Sequence, residues 1–88
     1  MLFEFDPAKS KANQAKHGLD FVTAQAMWKG RTVQVPALTS DEPRTLVIGK
    51  IAGKHWTAVV TERSDKVRII SVRRSRENER AVYEQSED

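Results

Sequence analysis

The stretch that decides the fold runs from Lys54 to Arg74, KHWTAVVTERSDKVRIISVRR. Two apolar runs rich in β-branched residues flank the polar break Arg63-Ser64-Asp65-Lys66, which is the pattern of a β-hairpin. With Ser64–Asp65 at the centre of the turn, Arg63 pairs with Lys66, Val60 with Ile69 and Trp56 with Arg73. One face then carries Trp56, Ala58, Val60 and Glu62 with Val67, Ile69, Ser71 and Arg73. The other carries His55, Thr57, Val59, Thr61 and Arg63 with Lys66, Arg68, Ile70, Val72 and Arg74. Apolar residues occupy the middle of both faces, as in a central pair of strands, and polar residues gather at the strand ends. Successive side chains alternate, so Arg73 and Arg74 leave the strand on opposite faces.

Working outward, Thr45–Ile51 reads as a strand joined to this hairpin by a tight turn at Ala52–Gly53, and Thr32–Val35 as a strand before it. Pro36 to Pro43 reads as a polar loop. Upstream, Asp6–Pro7 is a helix start, with Asp as the cap and Pro at the first helical position. That helix runs through Lys16 to a stop at Gly18, with Ala8, Ala12 and Ala15 as a small inner face. Asp20 begins a second helix that ends at Gly30, with Leu19 and Ala24 as a staple and Phe21, Ala24, Gln25 and Trp28 on its inner face. Leu2 to Phe5 is a short edge strand. After Arg74, Ser75 is a cap for a last helix with Glu77 and Glu79 in its first turn, where negative charge is favoured. That helix has only Ala81, Val82 and Tyr83 to bury. The order is β-α-α-β-β-β-β-α, an α+β fold in which short turns make the consecutive strands antiparallel.

The chain has 88 residues, which suits one domain over residues 1–88. A domain this small buries only about 60% of its unfolded surface, so a stabilising partner matters to it. It has no cysteine, which excludes disulfides and thiolate chemistry and fits a reducing compartment. No apolar run reaches the roughly 18 residues that span a bilayer, and the N-terminus lacks the pattern of a signal peptide. The expected location is cytoplasmic, with no membrane partner. Fifteen Lys+Arg against twelve Asp+Glu give a net charge of +3, with a pI near 9.5. Positive charge collects at Lys9 to His17 and at Arg63 to Arg80; negative charge collects at Asp41–Glu42 and from Glu84 to Asp88.

Five arginines fall between Val67 and Arg80: Arg68, Arg73, Arg74, Arg76 and Arg80. Guanidinium groups grip phosphate in a planar, bidentate way, so a cluster at a strand end is a candidate phosphate site. The same cluster also reads as an ordinary solvated surface paired along the last helix. Histidine is the side chain whose ordinary value lies near neutral pH, which makes His17 a candidate acid or base, or simply a cation at a helix end. Glu62–Arg63 is a base beside a phosphate clamp, or a surface pair. His55 reads as exposed, Trp28 as core, and Trp56 as buried or stacked on Arg73. Tyr83 is a proton donor or an anchor for the last helix. Two histidines without ligand spacing do not make a metal site, and no cofactor is called for.

The segments FEFDPAKSKANQAKHGLDFVTAQAMW and VRIISVRRSRENERAVYE carry a more specific signal. The first has an aromatic–Asp–Pro start, a Lys-x-x-x-Asn helix, and Lys-His-Gly followed by Phe-x-x-Ala. The second has Arg-Ile-Ile-Ser-x-Arg and then Glu-Arg-x-x-Tyr. Both resemble the BrnT-type toxins of bacterial toxin–antitoxin pairs, at both ends of the chain and in the same order. The resemblance implies a RelE-like fold, a small antiparallel sheet with helices packed on it. It also implies RNA cleavage that stops translation and growth. The implied partner is a BrnA-type antitoxin with a ribbon-helix-helix DNA-binding region, with operator DNA reached only through that antitoxin. It places Lys16, His17, Arg63, Arg73 and Arg74 at the RNA site, with Arg80 and Tyr83 on the last helix. In a metal-free cleavage by the 2′-hydroxyl, Arg63 and Arg73 would stabilise charge on the phosphoryl oxygens, and Glu62 or His17 would be the base. Lys16, Arg74, Arg80 and Tyr83 would hold RNA. A non-catalytic, toxin-like corepressor partner is the alternative.

Overall fold

A computed structural model describes residues 1–37 and 43–86 of the chain. The expected order is present: β1 (Leu2–Glu4), α1 (Pro7–His17), a 3-10 helix (Thr23–Lys29), β2 (Val33–Ala37), β3 (Arg44–Ile51), β4 (Lys54–Arg63), β5 (Lys66–Arg74) and α2 (Glu77–Gln85). The strands form one sheet in the order β1-β5-β4-β3-β2. Strands β2 to β5 are an antiparallel meander, while β1 joins the far edge parallel to β5. The class is α+β. Pro36 and Ala37 extend β2 rather than opening the loop, pairing with Thr45 and Arg44. The rest of the expected loop up to Glu42 lies outside the described residues, as do Glu87 and Asp88 of the acidic tail.

The β4–β5 hairpin turns at Ser64–Asp65, and Arg63 faces Lys66 and Val60 faces Ile69 as expected. A bulge between Val59 and Val60 then shifts the register, so that Thr57 faces Arg73 and Trp56 faces Arg74. The expected pairing of Trp56 with Arg73 is off by one residue. The cause is visible in what is buried: Val72, not Ser71, follows Val67 and Ile69 into the core. An extra residue in one strand reverses the inside–outside parity beyond it. At the other turn, Ala52 and Gly53 both have positive φ, 52° and 80°, the backbone that two-residue hairpins favour.

The core lies on one face of the sheet. Val47, Trp56, Ala58, Val60, Val67, Ile69 and Val72 meet Leu19, Phe21, Ala24 and Met27 there. The segment bearing the last three is not the expected α-helix. Phe21, Ala24 and Met27 are the fully buried residues, spaced by three, whereas Gln25 and Trp28 are half-buried. A three-residue period needs the tighter 3-10 turn. Asp20 opens it by accepting from the Thr23 amide at 2.7 Å and hydroxyl at 3.0 Å. The helix lies close on β3 at Gly49, where a Cβ would sit 3.2 Å from that of Met27.

Helix α1 also differs from expectation. Ala8, Ala12 and Ala15 face solvent, and Ser10 and Asn13 are buried. The reason is a backbone need. β1 covers β5 only from Lys66 to Arg68, which leaves the β5 edge unpaired further on. Asn13 takes the place of a strand there: its Oδ1 accepts from the Val72 amide at 3.1 Å, and its Nδ2 donates to the Val72 carbonyl at 2.8 Å and to the Leu19 carbonyl at 2.7 Å. Ser10 Oγ accepts from the Phe21 amide at 2.9 Å. The helix binds the sheet by hydrogen bonds where a small apolar face was expected.

On the opposite face α2 packs over Thr57 and its cross-strand neighbour Ile48, both buried. Its buried residues are Glu79 and Tyr83, while Ala81 and Val82 are exposed. Arg76, not Ser75, is the N-terminal cap residue. The Ser75 hydroxyl is bonded to that of Thr57 at 2.8 Å. No helix among the described residues is long and apolar enough to cross a membrane.

Candidate functional site

The candidate residues fall in two separate places. Glu62 and Arg63 are exposed at the end of β4, beside the Ser64–Asp65 turn. Arg73 and Arg74 are at the other end of the hairpin, opposite Thr57 and Trp56. Arg63 lies six positions along β4 from Thr57, roughly 20 Å at strand spacing. The structure therefore does not bring Arg63 and Arg73 to one phosphate.

Lys16 and His17 end α1, where Gly18 closes the helix at a φ of 84° with its amide on the Gln14 carbonyl. Lys16 is exposed and His17 half-buried. Both are about one helical turn beyond Asn13, whose side chain is bonded to Val72.

Arg73 is committed within the fold. Its Nη1 and Nη2 donate to Oε1 and Oε2 of Glu79, each at 2.8 Å. Oε1 also accepts from the Thr57 hydroxyl at 2.9 Å and from the Arg76 amide at 2.8 Å. Glu79 is only 6% exposed. The guanidinium, with help from the Arg76 amide and Thr57, holds its carboxyl down at about 2 against the opposing effect of burial, and the same bonds raise Arg73. Arg73 thus sets the position of α2 through its own charge. Arg80, the residue after Glu79, is exposed.

Arg74 is exposed, donates from Nε to the His55 carbonyl at 3.3 Å, and lies 5.5 Å from the Trp56 ring centre. The aromatic contact expected for Arg73 is made by Arg74. Tyr83 is buried, and its hydroxyl donates to the Arg31 carbonyl at 3.1 Å. The Arg31 guanidinium lies 4.0 Å over the Tyr83 ring and donates to the carbonyls of Tyr83 and Ser86, at 3.1 and 2.6 Å. A cation on the last carbonyls of a helix complements its dipole. Of the two readings of Tyr83, the geometry is that of an anchor.

The structure adds a cluster that the sequence reading missed. His55 Nε2 meets Glu84 Oε2 at 2.6 Å, and Lys50 Nζ is 3.3 Å from the same oxygen. His55 also sets its ring edge-on to Tyr83, 5.4 Å between centres. Its side chain is 17% exposed, so it is not the open surface histidine expected. Glu84 is held below the usual carboxylate range by His55 first and then by Lys50. The pairing of Lys50 with His55 across Ala52–Gly53 was legible in the turn. The arrival of Glu84 from α2, 29 residues along the chain, was not.

A model of the family described as "ribonuclease toxin, BrnT, of type II toxin–antitoxin system" matches residues 5–79. The chain belongs to the BrnT family. The match covers α1, the whole meander and the Arg73–Glu79 pair, with β1 before it and the later part of α2 beyond it. Comparison with curated proteins finds no match. As a BrnT-family ribonuclease toxin of a type II system, the protein has RNA as its target and an antitoxin as its partner.

Proposed function

We propose that this single domain is a metal-independent endoribonuclease of the cytoplasm that cleaves RNA and so arrests translation and growth. It is neutralised by a BrnA-type antitoxin whose ribbon-helix-helix region binds operator DNA. The observation that carries this reading is the family match over residues 5–79, joined to the paired arginines Arg73 and Arg74 at the end of β5. The 2′-hydroxyl attacks the adjacent phosphorus, the 5′-oxygen leaves, and fixed cations stabilise the charge that develops. Arg74, Lys16 and Arg80 hold phosphates there, and Arg73, tied to Glu79, frames the site and lends its remaining donors. Arg63 holds RNA several nucleotides away. Of the two bases expected from the sequence, Glu62 is at the other end of the hairpin and His17 ends α1.

The test is incubation of end-labelled RNA with the protein in EDTA, both free and as message on ribosomes. Cleavage with 2′,3′-cyclic phosphate ends is expected, reduced by a factor of about a hundred or more in a variant that loses a charge-stabilising donor. Cleavage that requires an added divalent ion would refute metal independence. Intact RNA in both forms would leave a non-catalytic toxin-like partner.

A further inference from the structure

The reaction needs a group that removes the 2′-hydroxyl proton, and the His55 cluster has the geometry for it. Glu84 approaches Nε2 of His55 at 2.6 Å. A carboxylate there fixes the proton on Nε2 and leaves Nδ1 as the basic nitrogen. Nδ1 has no protein hydrogen bond among the described residues. The imidazole is mostly shielded, at 17% exposure, while Glu84 and Lys50 remain open to solvent at 53% and 43%. The surrounding elements supply the remaining charges. Lys50 comes from β3, Tyr83 and Glu84 from α2, and Arg74 reaches the His55 carbonyl from β5. Arg31 covers the Tyr83 ring. A base, its orienting carboxylate and one cation suited to phosphate, Lys50, thus share one patch at the β3–β4 turn end of the sheet, while Arg74 reaches only the His55 backbone from the Trp56 side. Stability does not explain the arrangement, since exposed ion pairs contribute little and α2 is already held by Glu79 and Tyr83.

We propose that His55 is the general base of RNA cleavage, positioned by Glu84, with Lys50 binding the phosphate. This rests on the ribonuclease reading above. Nδ1 takes the proton of the 2′-hydroxyl as the O2′–P bond forms. The P–O5′ bond breaks, and the 5′-oxygen takes a proton from solvent water. The products are a 2′,3′-cyclic phosphate and a 5′-hydroxyl. The imidazolium, stabilised by Glu84, then returns its proton to solvent. His55 would be a catalytic residue and Glu84 a positioning residue.

The experiment measures cleavage of free and ribosome-bound RNA by the full chain and by His55→Gln, His55→Ala and Glu84→Gln, each with its thermal midpoint. His55→Gln is expected to lower kcat by about a hundredfold to ten-thousandfold, with a midpoint close to wild type and KM little changed. Glu84→Gln should lower kcat by less. The acidic limb of the kcat–pH profile should be present in the wild type and absent from the residual activity of both His55 variants. If the wild type cleaves and a folded His55→Gln protein cleaves within threefold of it, or keeps that limb, the assignment of His55 is wrong and the ribonuclease reading stands. If the wild type cleaves neither form of RNA, both fall together.

Discussion

Glu79→Gln puts the account of α2 to its most direct test, because it keeps the size of the side chain and removes its charge. In the wild type the carboxylate accepts from Arg73, Thr57 and the Arg76 amide. Its value of about 2, against an ordinary 4.5, corresponds to about 3 kcal/mol of preference for the charged form in the fold. The folded value lies below the unfolded one. That stabilisation is therefore fully present above the ordinary value and is lost as pH falls from 4.5 towards about 2. At pH 7 the substitution is expected to cost about 2–4 kcal/mol, part of it from leaving Arg73 half-buried without its counter-charge. For a domain this size, that lowers the thermal midpoint by about 10 °C or more. Urea unfolding followed by the fluorescence of Trp28 and Trp56, repeated at falling pH, should show the two stability curves converging. A difference that stays constant with pH, or a cost under about 1 kcal/mol at pH 7, would refute the reasoning.

Two further substitutions probe the scaffold. Asn13→Ala removes three hydrogen bonds and strands the Val72 amide and carbonyl; a loss of about 2–4 kcal/mol is expected in denaturant titrations, with faster hydrogen exchange at Val72. Ala52→Asn relieves an alanine held at a φ of 52° and is expected to add about 0.5–1 kcal/mol, read as a higher urea midpoint at unchanged slope.

What was legible in the chain was whatever depends on local period. The hairpin at Ser64–Asp65, the tight turn at Ala52–Gly53, the capped start at Asp6–Pro7 and the antiparallel meander of β2 to β5 all follow from alternation, turn chemistry and capping, whereas the parallel place of β1 beside β5 does not. The misses share a different cause. Ala8, Ala12 and Ala15 match a helix stripe as well as Ser10 and Asn13 do; only the unpaired edge of β5 decides between them. Phe21, Ala24 and Met27 signal a 3-10 turn only once their burial is known. For the site, charge density located Arg73 and Arg74 but said nothing of which guanidinium is already paired. Glu79 and Glu84 looked like two more acids on a polar helix. Their partners come from β4, β5 and β3, which no spacing along α2 reveals. The resemblance assigns Arg63 and Arg73 to one site, and a nine-residue strand keeps them at opposite ends of the hairpin.

The bulge between Val59 and Val60 acts as a sorter of charge. Counted straight from the turn, Arg73 would share the side of Val67 and Ile69, beneath the 3-10 helix, and Val72 would face the other way. One surplus residue exchanges them and delivers a guanidinium to the side where Glu79 waits. Length, more than chemistry, is thus the sensitive variable in this strand. Deleting a single residue between Ile69 and Val72 would reverse the exits of everything after it, which no point substitution can do. Segments aligned with this one are best compared by whether they keep that residue before asking which arginines they share.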